Sequence, residues 1–146
     1  MDAVDFKEKP SMQCNMKKMC LAIDDRPENE NRLMACGGKY DGKGLVQMWD
    51  YCTGLFSSQF AVDKVFKCIC AKEKLVAVGC QCGELHVIGF EQPNQRWKVQ
   101  ISKKEIKKVQ FSQKLNLIAA CCSNNEIFLV DYKQRLYSTT PSNLRK

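Results

Sequence analysis

The sequence predicts an all-β protein, a partial β-propeller of about three four-stranded blades. The first observation is a strand-like apolar run that recurs at a fixed interval, because Leu33, Leu75 and Leu117 follow one another at steps of 42 residues. The second is that a short turn containing Gly or Asn leads from each run into another apolar strand. A period of roughly 40 to 45 residues with four strands in each unit is typical of propeller blades.

Each unit can be divided into four strands by its apolar runs and its breakers. The polar loop 24–31, which contains Pro27, separates the first two strands of the first unit. Strands are predicted at 19–23, 32–38, 45–50 and 55–60 in the first unit, at 65–70, 74–80, 84–89 and 96–101 in the second, and at 106–111, 116–122, 126–131 and 135–140 in the third.

The composition of these strands predicts their positions within a blade. The first and fourth strands alternate apolar with polar residues, as in Trp97-Lys98-Val99, which fits a strand with one wet face. The second and third are nearly continuous apolar runs, which fits strands covered on both faces by neighbouring blades. Ala and Gly in the second strand allow blades to approach each other closely.

At 146 residues the chain is too short for a closed propeller of roughly 4 to 8 blades. We predict a flexible polar lead over 1–17, a propeller segment over 18–141 and a tail over 142–146. Within the segment the blades are expected at about 18–61, 62–102 and 103–141. Either the protein is a partial propeller, or its open edge is completed by another copy or another chain.

The third strand of the first unit resembles the WD-repeat family. It ends in Met48-Trp49-Asp50, which is similar to the closing dipeptide of that family, and the corresponding strand of the third unit ends in Leu129-Val130-Asp131. The resemblance covers about residues 19–140, although the Gly-His pair typical of such repeats is missing. It implies a non-catalytic scaffold for protein–protein interaction. The alternatives are a truncated isoform or fragment of a larger propeller protein, and a basic-surface binder of nucleic acid or anionic lipid.

The net charge of +7 suggests acidic partners. Turns between strands are the expected docking surface, because loops on rigid sheets tolerate variation. The candidate partner-binding residues are Lys39, Lys43, Arg96, Lys103 and Lys104. We expect other proteins as partners, with self-association through open blade edges as a further mode. Nucleic acid is disfavoured because the aromatic residues are not interleaved with the basic ones, and no apolar run is long enough to span a membrane.

Ten cysteines raise the questions of disulfides and of metal. The N-terminus has no apolar signal segment, so we expect free thiols in the reducing cytosol or nucleus. Cys68 and Cys70 with Cys80 and Cys82 could supply four thiolates to zinc, but they lack the C-x-x-C spacing of strong zinc sites. We expect no metal and no cofactor. The cysteines of the second-strand repeat, Cys36, Cys80, Cys121 and Cys122, are expected to be small buried apolar residues.

Two further patterns bear on catalysis. Residues 37–44 nearly spell a phosphate-binding loop, but Gly44 replaces the hydroxyl residue and a strand follows instead of a helix. We interpret this segment as a hairpin whose Asp-Gly pair supplies the positive φ angles. His86 is the only histidine, and no nucleophile motif accompanies it. The sequence therefore predicts that the chain is not an enzyme.

Overall fold

A computed structural model describes residues 17–23, 33–50, 55–89 and 96–139, and in these ranges every regular element is a β-strand. The strands form three four-stranded antiparallel sheets, each built from four strands that are consecutive in the chain. We name these sheets blades 1, 2 and 3. The predicted fold class is confirmed. The predicted lead, apart from Lys17, and the predicted tail lie outside the described residues.

The twelve strands divide evenly among the blades. Blade 1 contains β1 (Lys17–Ile23), β2 (Leu33–Tyr40), β3 (Lys43–Asp50) and β4 (Phe56–Val62). Blade 2 contains β5 (Phe66–Lys72), β6 (Leu75–Cys80), β7 (Glu84–Gly89) and β8 (Arg96–Gln100). Blade 3 contains β9 (Ile106–Phe111), β10 (Leu117–Cys122), β11 (Ile127–Asp131) and β12 (Leu136–Thr139). All the predicted strands are present, because turn residues and apolar runs alternate clearly along the chain.

The first strands of the blades lie side by side. The central one, β5, contacts both β1 and β9, so the blades radiate from a common line with their first strands innermost. Blade 2 lies between the other two. One apolar core fills the space between blades 1 and 2, and includes Val46, Met48, Phe66 and Val78. A second core lies between blades 2 and 3 and includes Leu85, Ile106, Ile118 and Phe128.

The predicted covering of the second and third strands on both faces holds fully only in blade 2. There, all but the first residue of β6 and of β7 are buried. In blade 3 the corresponding strands β10 and β11 alternate between buried and exposed residues, because one of their faces is turned away from blade 2. Conversely, the first strand of blade 2, β5, was predicted to have one solvent-exposed face. It is mostly buried instead, because it lies between β1 and β9, the first strands of the other two blades.

Two glycines allow the close approach of neighbouring blades. A Cβ atom at Gly37 would lie 2.5 Å from the ring of Phe66, and a Cβ atom at Gly79 would lie 2.5 Å from Cγ2 of Ile106. These glycines are 42 residues apart in the repeat, and each receives the first residue of the next blade's innermost strand. The glycine side of each blade-to-blade contact therefore follows the 42-residue repeat.

The segment that resembles a phosphate-binding loop is a hairpin. Its strands β2 and β3 pair from Leu33 opposite Asp50 to Tyr40 opposite Lys43. The two intervening residues, Asp41 and Gly42, have φ angles of 50° and 78°. Positive φ at both central positions is the geometry of a type I′ turn, which matches the twist of antiparallel strands. The predicted hairpin is confirmed.

Candidate functional site

The strand connections at one end of the blades form a continuous surface. The β2–β3 hairpin lies against the β4–β5 connection, where a Cβ atom at Gly44 would be 2.6 Å from the carbonyl oxygen of Lys64. That connection is joined to the β6–β7 turn, because the amide of Gln81 donates to the carbonyl of Val65 at 3.0 Å. The β6–β7 turn also contacts the β8–β9 connection, since the amides of Ile101 and Ser102 both donate hydrogen bonds to the carbonyl of Gly83.

Lysines dominate the exposed charge on this surface. We call the surface the lysine face and define it by five exposed residues, Lys39, Lys43, Lys64, Lys103 and Lys104. Two exposed aspartates, Asp41 and Asp63, lie on the same connections. The half-buried Glu105 is already engaged, because its carboxylate lies 3.0 Å from Nζ of Lys67. The charge that a partner would meet first is therefore mostly positive.

The structure brings four of the five predicted docking residues together on this face, and separates the fifth. Lys39 and Lys43 flank the β2–β3 turn, and Lys103 and Lys104 lie in the β8–β9 connection, at the same end of the blades. Arg96 begins β8 and pairs with Ile88, so its backbone lies at the opposite end of blade 2, although its guanidinium reaches Ala61 near the end of β4. Lys64 was missed, because a single lysine beside an aspartate in a short connection carries no signal in the sequence.

Arg96 lines a cleft between blades 1 and 2 instead. Its guanidinium donates a hydrogen bond of 2.9 Å to the carbonyl of Ala61 in blade 1. The cleft has a volume of about 280 Å³, and Asp63, His86 and Lys98 also line it. Arg96 therefore links two blades, and its guanidinium is already partly engaged by the protein itself.

His86 is buried on β7 and forms part of a small polar cluster. Its Nε2 lies 3.4 Å from Oε1 of Glu84, and the thiol of Cys82 donates to the same oxygen at 3.6 Å. The carboxylate therefore lies between the imidazole and the thiol. A cysteine nucleophile needs the imidazole as its own hydrogen-bond partner, and this geometry does not supply one.

Burial lowers the pKa of His86, and this is the largest effect. The hydrogen bond and the charge interaction with Glu84 raise the pKa, while the nearby cations Lys98 and Arg96 lower it further. The net direction is down, so His86 is neutral and donates its Nε2–H to the carboxylate. For Glu84, burial raises the pKa, but hydrogen bonds from His86 and Cys82 outweigh it and the net pKa is lowered.

These shifts predict acid sensitivity. We expect the free energy of unfolding to fall as the pH drops below about 6.5, the ordinary pKa of histidine, because the unfolded chain then binds a proton that folded His86 does not. The slope is at most about 1.4 kcal/mol per pH unit for one such group. Urea unfolding at a series of pH values above 5 measures it, since Glu84 contributes mainly below about 4.5.

The substitution His86→Gln is the matched control for this pH dependence. Gln47 occupies the corresponding position of blade 1, so the side chain is compatible with this place in a blade. The variant is expected to lose most of the slope between pH 5 and 6.5. An unchanged slope would show that another group is responsible.

The buried thiols are held in their protonated form. Burial raises the pKa of Cys20 to about 11 and the pKa values of Cys68, Cys70 and Cys80 to about 12. Metal binding and nucleophilic attack both need the thiolate. The four thiols considered for zinc also do not converge, because Cys68 faces the core between blades 2 and 3 and Cys80 faces the core between blades 1 and 2.

Cys80 and Cys122 are buried as predicted, whereas Cys121 is exposed. The prediction for Cys121 was wrong because its side chain lies on the face of blade 3 that is turned away from blade 2. The side chain of Cys36 lies outside the described residues. Among the aromatic residues of the strands, Trp49, Phe111 and Phe128 are buried, while Trp97 and Tyr132 pack against the core from its edge.

No known protein family matches the sequence, and no curated protein is detectably similar to it. The resemblance to WD repeats therefore stays a prediction. In the described ranges, no helix has the length and apolar character that a bilayer crossing requires.

Proposed function

We propose that the chain is a non-catalytic interaction module, similar to a WD-repeat scaffold, that docks acidic segments of other proteins on its lysine face. This proposal rests on one observation: five exposed lysines lie on or directly beside strand connections that contact one another. Sheets with well-packed cores hold these connections in place, so a partner meets a preorganised surface.

Exposed lysines act mainly on association. Their flexible, strongly hydrated ammonium groups attract an acidic partner over a distance of roughly 10 Å at 0.1 M salt. Such charges raise the association rate and favour acidic partners over basic ones more than they add affinity. Tyr40 is 52% exposed beside two of the lysines and can supply the apolar contact that a docked segment needs.

Two features support a role without catalysis. The imidazole of His86 is hydrogen-bonded to the carboxylate of Glu84 and not to a thiol. The pKa values of Cys68, Cys70 and Cys80 lie far above neutral pH, at about 12.

The seven cysteines that the structure describes in full are free thiols, which supports a reducing compartment, the cytosol or the nucleus. A fragment of a larger propeller protein would carry the same docking face.

The binding test uses a fluorescent poly-glutamate peptide as the probe. The double variant Lys103→Glu with Lys104→Glu is expected to weaken binding about tenfold, because it replaces attraction by repulsion at the face. The matched control is Lys74→Glu with Lys114→Glu, which changes the net charge equally at the opposite end of the blades. Fluorescence anisotropy at low and physiological salt measures both variants.

Equal weakening by the two double variants would show that only the net charge matters, and would remove the lysine face as a site. Single-stranded RNA and vesicles with anionic lipid serve as competing probes. If either binds more tightly than the peptide, and the Lys103–Lys104 variant selectively reduces that binding, the lysine face is a nucleic-acid or lipid site and the protein-docking proposal fails.

A further inference from the structure

The cleft between blades 1 and 2 combines a buried histidine with two cationic side chains. In the pairing of β7 with β8, His86 lies opposite Lys98, and Ile88 lies opposite Arg96. Residues two apart in a strand point to the same face, and Ile88 belongs to the core between blades 1 and 2. His86, Lys98 and Arg96 therefore share the face that meets blade 1. With Asp63 of the β4–β5 connection they line the cleft of about 280 Å³, which we call the rim cleft.

The corresponding residues of blade 3 are aromatic. His86 lies three residues after the glycine of the β6–β7 turn, and Phe128 lies three residues after Asn125 of the β10–β11 turn. By strand pairing, Arg96 then corresponds to Tyr137. Phe128 is buried in the core between blades 2 and 3, and its ring centroid lies 6.2 Å from that of Tyr137. Polar groups that replace a packed aromatic pair are typical of a functional site.

Both cations of the rim cleft keep donors for a ligand. Among the described residues, neither Arg96 nor Lys98 forms an ion pair with a carboxylate. Arg96 donates to the carbonyl of Ala61 at 2.9 Å, but a guanidinium has five N–H donors. Lys98 is exposed, and its ammonium has three donors. An anion in the cleft can therefore receive hydrogen bonds from both side chains.

The imidazole of His86 offers a third contact, which depends on its proton. Its Nε2 lies 3.4 Å from the carboxylate of Glu84, which also accepts from the thiol of Cys82. Its Nδ1 has no hydrogen-bond partner in the part of the chain that the structure describes. Nδ1 is an acceptor in the neutral ring and a donor in the imidazolium. It can therefore accept from a protonated ligand oxygen or, once protonated, donate to a bare one.

We propose that the rim cleft binds a phosphate group, with Arg96 and Lys98 donating to its oxygens and Nδ1 of His86 sharing a proton with one of them. Directly opposite residues have Cβ atoms about 5 Å apart, and diagonal ones about 7 to 8 Å, so the three side chains can reach one group. Three donors suit a tetrahedral anion better than a carboxylate, which has only two oxygens. Asp63 opposes an anion, but it is exposed and its charge is screened by salt.

The size of the cleft bears on what carries the phosphate. At about 30 Å³ for each water molecule, a volume of about 280 Å³ corresponds to roughly nine waters. Room therefore remains beside a five-atom anion, and the cleft can take a phosphomonoester as well as the free ion. This site lies apart from the lysine face and does not depend on the docking function proposed for that face.

Phosphate binding and protonation of His86 should favour each other. The titratable or charged groups around the ring are Glu84, Lys98, Arg96, Asp63 and the thiol of Cys82. In the free protein, burial and the two cations lower the pKa of His86 more than Glu84 raises it. A bound anion adds negative charge beside the ring and so raises this pKa. By linkage, an anion without a proton of its own binds best below that pKa, and its affinity falls as the pH rises through it.

Proton NMR tests the proposal, because His86 is the only histidine and gives a single imidazole signal. Inorganic phosphate at pH 7 is expected to shift this signal in a saturable manner, with a dissociation constant that is roughly millimolar. Sulfate does not titrate over the range in which histidine does, so it measures the linkage. The pKa of His86 should be higher in sulfate than in chloride of equal ionic strength, and an equal pKa in the two salts would contradict the shared proton.

Substitutions in the rim cleft make the test specific. Arg96→Gln and Lys98→Gln are each expected to weaken phosphate binding about tenfold, because each removes charged donors. Asp63→Asn is expected to strengthen it about threefold, because it removes a repulsive charge. Lys114→Gln is the matched control, since it removes one exposed positive charge in the β9–β10 connection. Backbone amide spectra show whether each variant is folded.

Three results would overturn the proposal. An imidazole signal that does not move over the millimolar range of phosphate would remove the site. Equal weakening by the Arg96 and Lys114 variants would show that only the net charge matters. Acetate that binds as tightly as phosphate would make the cleft a carboxylate site. Glycerol phosphate serves as a second probe for the source of the group: binding at least as tight as that of the free ion supports a phosphomonoester as the ligand, and weaker binding supports inorganic phosphate.

Discussion

Gly83→Ala is expected to lower the free energy of unfolding by about 4 kcal/mol, from backbone strain and steric overlap together. Gly83 lies in the β6–β7 turn with a φ angle of 88°, a conformation that L-residues rarely adopt. A Cβ atom there would overlap the carbonyl oxygen of Ser102 and lie 2.9 Å from that of Lys104. Moving the β6–β7 turn to relieve this overlap would break hydrogen bonds, because the carbonyl of Gly83 accepts from the amides of Ile101 and Ser102.

Gly42→Ala is the control for the strain component. Gly42 has a similar φ angle of 78°, but nothing lies within 4 Å of the place that its Cβ atom would occupy. The expected cost is about 1 to 2 kcal/mol, from the left-handed conformation alone. Urea unfolding of the two variants, followed by circular dichroism, measures the difference. Equal costs would show that the β6–β7 turn does not rest tightly on the β8–β9 connection.

The lysine face depends on that same contact, so stability and proposed function are coupled. The β8–β9 connection carries Lys103 and Lys104, and the β6–β7 turn fixes its backbone at Ile101 and Ser102. A variant that loosens this contact gives the two lysines more freedom, and ordering them again on binding costs free energy. Gly83→Ala should therefore weaken acidic-peptide binding even under conditions in which the protein remains folded.

The strands could be predicted because their signal is local. Runs such as Leu75–Cys80 are apolar throughout and are bounded by turn residues, so their type and extent follow from composition. The hairpin at Asp41 and Gly42 was predictable for the same reason, since an Asp-Gly pair between apolar strands specifies a two-residue turn. The 42-residue period then gave the grouping of strands into blades.

The site was less predictable, because it depends on which strand ends meet in space. Arg96 begins its strand and Lys103 follows the end of the same strand, so antiparallel pairing places them at opposite ends of the blade. The strand predicted over 96–101 already separates the two residues, but the docking prediction grouped both as turn residues. The exposure of Cys121 depends on another non-local fact, that blade 3 has one face turned away from its neighbour. The exposure of Cys121 therefore cannot be inferred from the residues next to it.

Gly79→Val and Cys121→Val introduce the same residue at equivalent positions of successive blades, and we expect opposite outcomes. A Cβ atom at Gly79 would lie 2.5 Å from Cγ2 of Ile106 and 2.7 Å from Sγ of Cys68, both in the core between blades 2 and 3. Valine adds two methyl groups to this Cβ atom and so increases the steric overlap with Ile106 and Cys68. The expected loss is about 3 kcal/mol or more in the free energy of unfolding, because a packed core cannot yield without moving a strand.

At Cys121 the same valine should change the free energy of unfolding by no more than about 0.5 kcal/mol, since the side chain is exposed and β-branched residues suit a strand. Urea unfolding of both variants at low protein concentration measures the contrast. If Cys121→Val were as costly as Gly79→Val, blade 3 would have to be covered by a further blade in the manner of the internal contacts. The polar Lys108 and the exposed Cys121 argue that it is not.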